Sequence, residues 1–122
     1  MPDLSFGLYS GYVPINNTQK QIHYLAALSK NQPATDPLVI WFNGGPGCSS
    51  MLGFLAEHGP YIIDDGETTF KPNTWSWNNK ASVFYIESPA DVGFSLSPNK
   101  TECIWDDNNT AADNLIAVLN VL

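Results

Sequence analysis

The sequence predicts an α/β fold in which a β-hairpin leads into the strands of a central mixed sheet with helices on its flanks. Three observations carry it: paired strand-like runs near the start, two short continuous apolar runs, and an amphipathic stretch at the end. Residues 8–13 and 21–26 form the first pair. The polar triplet Asn16-Asn17-Thr18 between them is a turn signal, and residues 33–37, bracketed by Pro33 and Pro37, close this part of the chain. Leu38-Val39-Ile40-Trp41-Phe42 follows as an unbroken apolar run ending at Asn43-Gly44-Gly45, the pattern of a strand buried on both faces of a largely parallel sheet. Ser82-Val83-Phe84-Tyr85-Ile86 is a second such run. Residues 49–58 make a short helix candidate stopped by Gly59-Pro60, followed by a polar loop. After Asp107, the residues Ala111, Leu115, Val118, Leu119 and Leu122 recur at helical spacing, behind the capping residues Asp106, Asp107 and Asn108. This segment is expected to bury that face. It reaches Leu122 with no Gly, basic last turn or Pro to stop it, so the expectation is that residues 1–122 are the N-terminal portion of a single, incomplete domain.

Composition narrows the function. With 122 residues, 43% apolar and 12% aromatic, the chain can bury a core. Twelve acidic residues against five lysines and no arginine give a formal charge of -7, which lacks the basic surface that nucleic acid or an anionic membrane would select. No apolar run approaches the ~20 residues that span a bilayer. The opening Met1-Pro2-Asp3-Leu4-Ser5-Phe6 has neither the basic start nor the apolar core of a secretory signal. Asn16-Asn17-Thr18, Asn99-Lys100-Thr101 and Asn108-Asn109-Thr110 each match the glycosylation acceptor pattern. Cys48 and Cys103 permit one internal bridge or two bonds elsewhere. The scattered His, Asp, Glu and Cys residues have no metal-ligand spacing, and neither a metal nor a cofactor is expected.

The segment with the most chemistry is Asn43-Gly44-Gly45-Pro46-Gly47-Cys48-Ser49-Ser50. Its glycines let a ligand approach the main chain, and the helix start at Ser49 or Ser50 adds exposed amides that favour negative charge. That charge is either a phosphate or a developing oxyanion. Neither phosphate-loop pattern is present and the segment contains no lysine, which favours the oxyanion. A tight strand-to-helix turn with no ligand is the plain alternative.

Five separated motifs make the assignment specific. Trp41 through Ser50 with Glu57-His58-Gly59-Pro60, Ser10-Gly11-Tyr12-Val13, Trp75-Ser76-Trp77-Asn78, Tyr85-Ile86-Glu87-Ser88-Pro89-Ala90 and Val92-Gly93-Phe94-Ser95 together resemble the serine carboxypeptidase family, in its order and over nearly the whole chain. The resemblance implies the N-terminal part of an α/β-hydrolase fold. It implies further that the Gly45 amide is an oxyanion donor, that Asn43 and Glu57 help bind the substrate's terminal carboxylate, and that Trp41 and Gly44 support that site. Cys48 resembles the family's half-cystine, whose partner comes later. A carboxylate bound beside Glu57 requires that one group be protonated, which predicts activity in acid and suits a lysosomal or vacuolar setting. Ser50, Gly53 and Glu57 fall at i, i+3 and i+7, which would place them on one face with bare Gly53 leaving room before Glu57.

The catalytic residues themselves are not expected here. No Gly-x-Ser-x-Gly elbow occurs, since the runs starting at Gly47 and Gly93 both lack the final glycine. In this fold the catalytic histidine comes last, so neither His23 nor His58 is read as the base, and Glu87 is assigned no chemistry. The implied activity is release of C-terminal residues from peptides through an acyl-enzyme, with this chain inactive by itself. An acyltransferase relative and a non-catalytic binding relative are the alternatives. Some acyltransferases of the family carry aspartate where this chain has Asn43.

Overall fold

The computed structural model describes residues 4–122, apart from the side chain of Glu102. Strands β1 (Leu8–Pro14) and β2 (Gln21–Ala27) pair antiparallel with Tyr12 opposite His23, as the alternating pattern predicts. Their turn is closed by Ile15 N donating to Lys20 O at 3.0 Å and by the Thr18 hydroxyl donating to Ile15 O at 2.8 Å. Strands β3 (Leu38–Trp41) and β6 (Ser82–Ile86) pair parallel, and β2 joins β6 antiparallel, giving a mixed sheet in the order β1-β2-β6-β3. Between them lie β4 (Tyr61–Ile62) and β5 (Lys71–Pro72), a two-stranded ribbon where the sequence suggests only polar loop.

Side chains alternate across β2 and β6 and create two apolar layers. On one face Ile22 and Ile86 pack with Ile15, Ala90 and Ala117. On the other, Ala27, Val83 and Tyr85 pack with Phe54, with Met51 and Leu55 alongside. The sheet is therefore covered by the helix α1 (Asp107–Val121) on the first face and by the turn after residue 50 on the second.

Two expectations change. β6 is buried along most of its length, but β3 is only partly covered and Leu38 is 45% exposed, because β3 forms the edge of the sheet among the described residues. The helix α1 starts as predicted, with the Asp106 carboxylate accepting from Asn109 N at 2.7 Å, yet it buries a different face. Leu115, Leu119 and Leu122 are 61, 66 and 69% exposed, whereas Asp113 and Ala117 face inward. On the inward face Asp113 pairs with Lys20 Nζ at 2.8 Å, beneath the Trp105 ring. Ala117, one turn on, is small enough to meet Ile22 and Ile86.

Candidate functional site

The site begins where β3 delivers the chain, at Trp41, to the end of the sheet. Asn43 is the first fixed residue of the loop. Its Oδ1 accepts from Trp41 Nε1 at 2.8 Å and from Gly53 N at 3.2 Å, while its backbone N donates to Ser50 Oγ at 3.0 Å. Ser50 Oγ in turn donates to Ile86 O at 2.5 Å, tying the loop to the end of β6. Among the described residues, no hydrogen bond from Asn43 Nδ2 accompanies these.

Between these supports the loop stands clear. Gly45 has φ of +144° and Gly47 of +95°, backbone conformations that glycine adopts without a side-chain clash. A side chain at Gly44 or Gly47 would meet nothing within 4 Å. Among the described residues, none accepts a hydrogen bond from the Gly45 amide. The loop lines an open cavity of about 390 Å³ together with Phe42, Ser88 and Asn114. Ser88 Oγ and Asn114 Oδ1 are buried there without hydrogen-bond partners among the described residues.

The predicted helix over 49–58 forms over residues 51–57, α-helical at Met51 and Leu52 before it widens. Its backbone is π-helical over Gly53–Glu57, closed by His58 N donating to Gly53 O at 3.0 Å. The i, i+3, i+7 argument assumed an α-helical period, which the widened turn does not keep. Gly53 is bare for another reason. A Cβ there would sit 2.5 Å from Trp41 Nε1, so the space belongs to the indole that holds Asn43, rather than to a ligand before Glu57.

Glu57 is exposed at the end of this turn. Beside it, the buried His58 ring stacks on Trp77 at 4.0 Å, meets Trp41 edge-on at 4.4 Å, and places Nδ1 3.1 Å from the Tyr85 hydroxyl. Burial holds the His58 pKa below the ordinary 6.5, opposed in part by the Glu57 carboxylate. Burial, reinforced by Glu57, pushes the Tyr85 phenol far above its usual range. Both neighbours of Glu57 are thus uncharged near neutral pH. Leu52 and Ala56 lie exposed on the same turn.

Sequence reasoning missed one cluster. Glu87, directly after β6, is 0% exposed, and its carboxylate accepts from the Ser49 hydroxyl and from Phe94 N at 2.6 Å. His23 Nδ1 lies 3.1 Å from the same carboxylate, and His23 Nε2 lies 2.9 Å from Ser10 Oγ. His23 is buried. The only signal available was a glutamate ending an otherwise apolar run. Asp91 takes a φ of +76° and reaches Lys100 at 2.5 Å.

Cys48 is exposed and Cys103 partly buried, both as free thiols, so no bond joins them. Among the described residues no group of three or more His, Cys, Asp and Glu is placed to hold a metal ion, and no helix is long and apolar enough to cross a membrane.

Comparison with known proteins gives this geometry its context. A family model described as serine carboxypeptidase matches residues 1–122. The lysosomal protective protein of Mus musculus is 46% identical over 114 residues, covering 93% of this chain and 24% of the relative. Serine carboxypeptidase ctsa-3.1 of Caenorhabditis elegans is 44% identical over 119 residues, covering 95% and 21%. The crystal structure of Kex1(delta)p, a prohormone-processing carboxypeptidase from Saccharomyces cerevisiae, superimposes with a TM-score of 0.75 at 29% identity, over 98% of this chain and 29% of that one. The chain thus spans about a quarter of the length of the relatives it matches, and the family model matches it from end to end: it belongs to the serine carboxypeptidase family.

Proposed function

We propose that this chain acts within a polypeptide of its relatives' length as the oxyanion and carboxylate-binding portion of a serine-type carboxypeptidase. The observation that carries the reading is the loop from Asn43 to Ser50, fixed at both ends and open between them beside a cavity. A serine hydroxyl from elsewhere in the polypeptide attacks the last peptide carbonyl and passes its proton to a histidine, and the carbonyl oxygen becomes an oxyanion. The Gly45 amide donates to that oxygen. Such a donor is worth roughly 3 kcal/mol in the transition state because it is already oriented when charge develops.

Asn43 supplies the second function. Its Oδ1 is committed to Trp41 and Gly53, so its NH2 group is free to donate to the substrate's terminal carboxylate, with Gly44 leaving room for approach. Glu57 shares that carboxylate, and a proton between the two carboxyl groups removes their repulsion. Binding is therefore strongest in acid, which fits an acidic compartment such as the one named for the lysosomal protective protein. Peptide and protein C-termini are the substrates. Without the serine elbow, the 122-residue chain hydrolyses nothing by itself.

The test is the pH dependence of KM in the full-length polypeptide. Wild type should show KM for a blocked dipeptide rising at least about 10-fold between pH 5 and 7.5, a step of ~1.4 kcal/mol. In Glu57→Gln, which needs no shared proton, the rise should shrink to within about twofold. An unchanged profile in Glu57→Gln contradicts Glu57 as part of the clamp.

A further inference from the structure

We infer that Glu87, buttressed by His23, is a positioning residue for the Gly45 amide, holding the far end of the glycine-rich loop through the Ser49 hydroxyl. This rests on the oxyanion reading of the loop and adds a residue to it.

The inference starts from a cost. A carboxylate taken wholly out of water is strongly destabilising unless hydrogen bonds and opposite charge replace its hydration. Glu87 is 0% exposed, and every feature around it serves that replacement. Ser49 Oγ donates to Oε1, Phe94 N donates to Oε2 at 2.6 Å, and His23 Nδ1 lies 3.1 Å from Oε2. The backbone of Glu87 is held as well. Its N donates to His23 O at 3.0 Å, and its carbonyl accepts from Ser95 Oγ at 2.6 Å, which itself accepts from His23 N at 2.8 Å. The His23 ring is fixed between Tyr12 and Phe94, each at 5.3 Å. Gly93, with φ of +56°, comes so near that a Cβ would lie 1.9 Å from Oε1. Three separate stretches of chain converge on one carboxylate.

The output of this assembly is Ser49. Besides donating to Glu87, Ser49 Oγ accepts from Met51 N at 3.1 Å, so it defines where the loop ends and the helical turn begins. The other end, Asn43, is tied through Ser50 Oγ to Ile86 O. Both feet of the loop therefore stand on consecutive residues, Ile86 and Glu87. Among the described residues nothing comparable grips the span between them, and a side chain at Gly44 or Gly47 would meet nothing within 4 Å. The place of the Gly45 amide is inherited from its feet. Oxyanion catalysis is sensitive to that place, since the donor acts only within hydrogen-bond distance of the transition-state oxygen.

The experiment compares wild type, Glu87→Gln and Ser49→Ala in the full-length polypeptide. Glu87→Gln keeps the shape but removes the charge and turns an NH2 group toward donors. Ser49→Ala cuts the same link from the loop side while Phe94 N and His23 stay on the carboxylate, and serves where Glu87→Gln fails to fold. Each variant should lower kcat at least 10-fold with KM within about threefold. The inhibition constant of a peptide aldehyde, whose tetrahedral adduct needs the oxyanion donor, should rise in parallel, while that of the product amino acid stays constant. The double variant should be no worse than the more damaged single one. A purely structural role would reduce folded protein and leave these ratios alone. Unchanged kcat and aldehyde inhibition in folded variants overturns the inference while the enzyme reading stands. Hydrogen exchange of residues 44–48 supplies a readout independent of catalysis: it should quicken in both variants, and unchanged exchange overturns the inference even where wild type proves inactive, a result that would overturn the enzyme reading separately.

Discussion

His58 illustrates what a single residue contributes at this site. Its ring is enclosed by Trp41, Trp77 and Tyr85, and burial lowers its pKa despite the nearby Glu57. In the unfolded chain the ring takes up a proton near pH 6.5, whereas in the folded protein it resists one. The unfolded state therefore binds more protons below that value, so this residue's contribution to stability is intact above about pH 6.5 and declines as the pH falls toward the lowered folded pKa. Urea unfolding at pH 7.5 and pH 5 should show a loss for wild type that is smaller in His58→Phe. Equal losses would contradict the assignment. Gly53→Ala should destabilise by about 1–3 kcal/mol, because its methyl displaces the Trp41 indole and with it the Asn43 amide. The glycine-rich loop was readable from the sequence because its composition is local. The Glu87 and His23 pair was not, since its members lie 64 residues apart and no local motif records that they meet.

At the scale of elements, alternation and apolar runs located β1, β2, β3 and β6 to within a residue or two, since each signal is contained in the strand itself. The orientation of α1 was misjudged for an instructive reason. Counting apolar residues favoured Leu115, Leu119 and Leu122, but a partner 93 residues away, Lys20, draws Asp113 inward instead. Periodicity cannot register that pairing. Removing one member, as in Asp113→Ala, should leave the Lys20 ammonium buried alone and cost about 3–5 kcal/mol of unfolding free energy, whereas Lys20→Met with Asp113→Leu together should cost much less. Comparable losses in single and double variants would show that the pair does not set the helix. The π-helical turn over Gly53–Glu57 is likewise invisible to an α-helical count, because its register is imposed by Trp41 and Asn43.

Across the whole molecule, one sheet carries both devices. Its β3 end launches the loop, its β6 end anchors that loop twice, and the two apolar layers hold the ends in register. Family membership was legible because five motifs kept their order, whereas the depth of Glu87 and the edge position of β3 required the folded chain. The central proposal is that Asn43 turns a donor toward a terminal carboxylate beside the Gly45 amide. It is tested most directly by the ratio of kcat/KM for a blocked dipeptide with a free C-terminus to that for its amide, at acid pH, in the full-length polypeptide and in Asn43→Asp. Aspartate can still accept from Trp41 and Gly53 but has no NH2 group to offer. Wild type should favour the free carboxylate by roughly 100-fold, the scale of two charge-assisted hydrogen bonds, and Asn43→Asp should lose most of that preference. Equal rates on the two substrates, or an unchanged ratio in Asn43→Asp, would contradict it.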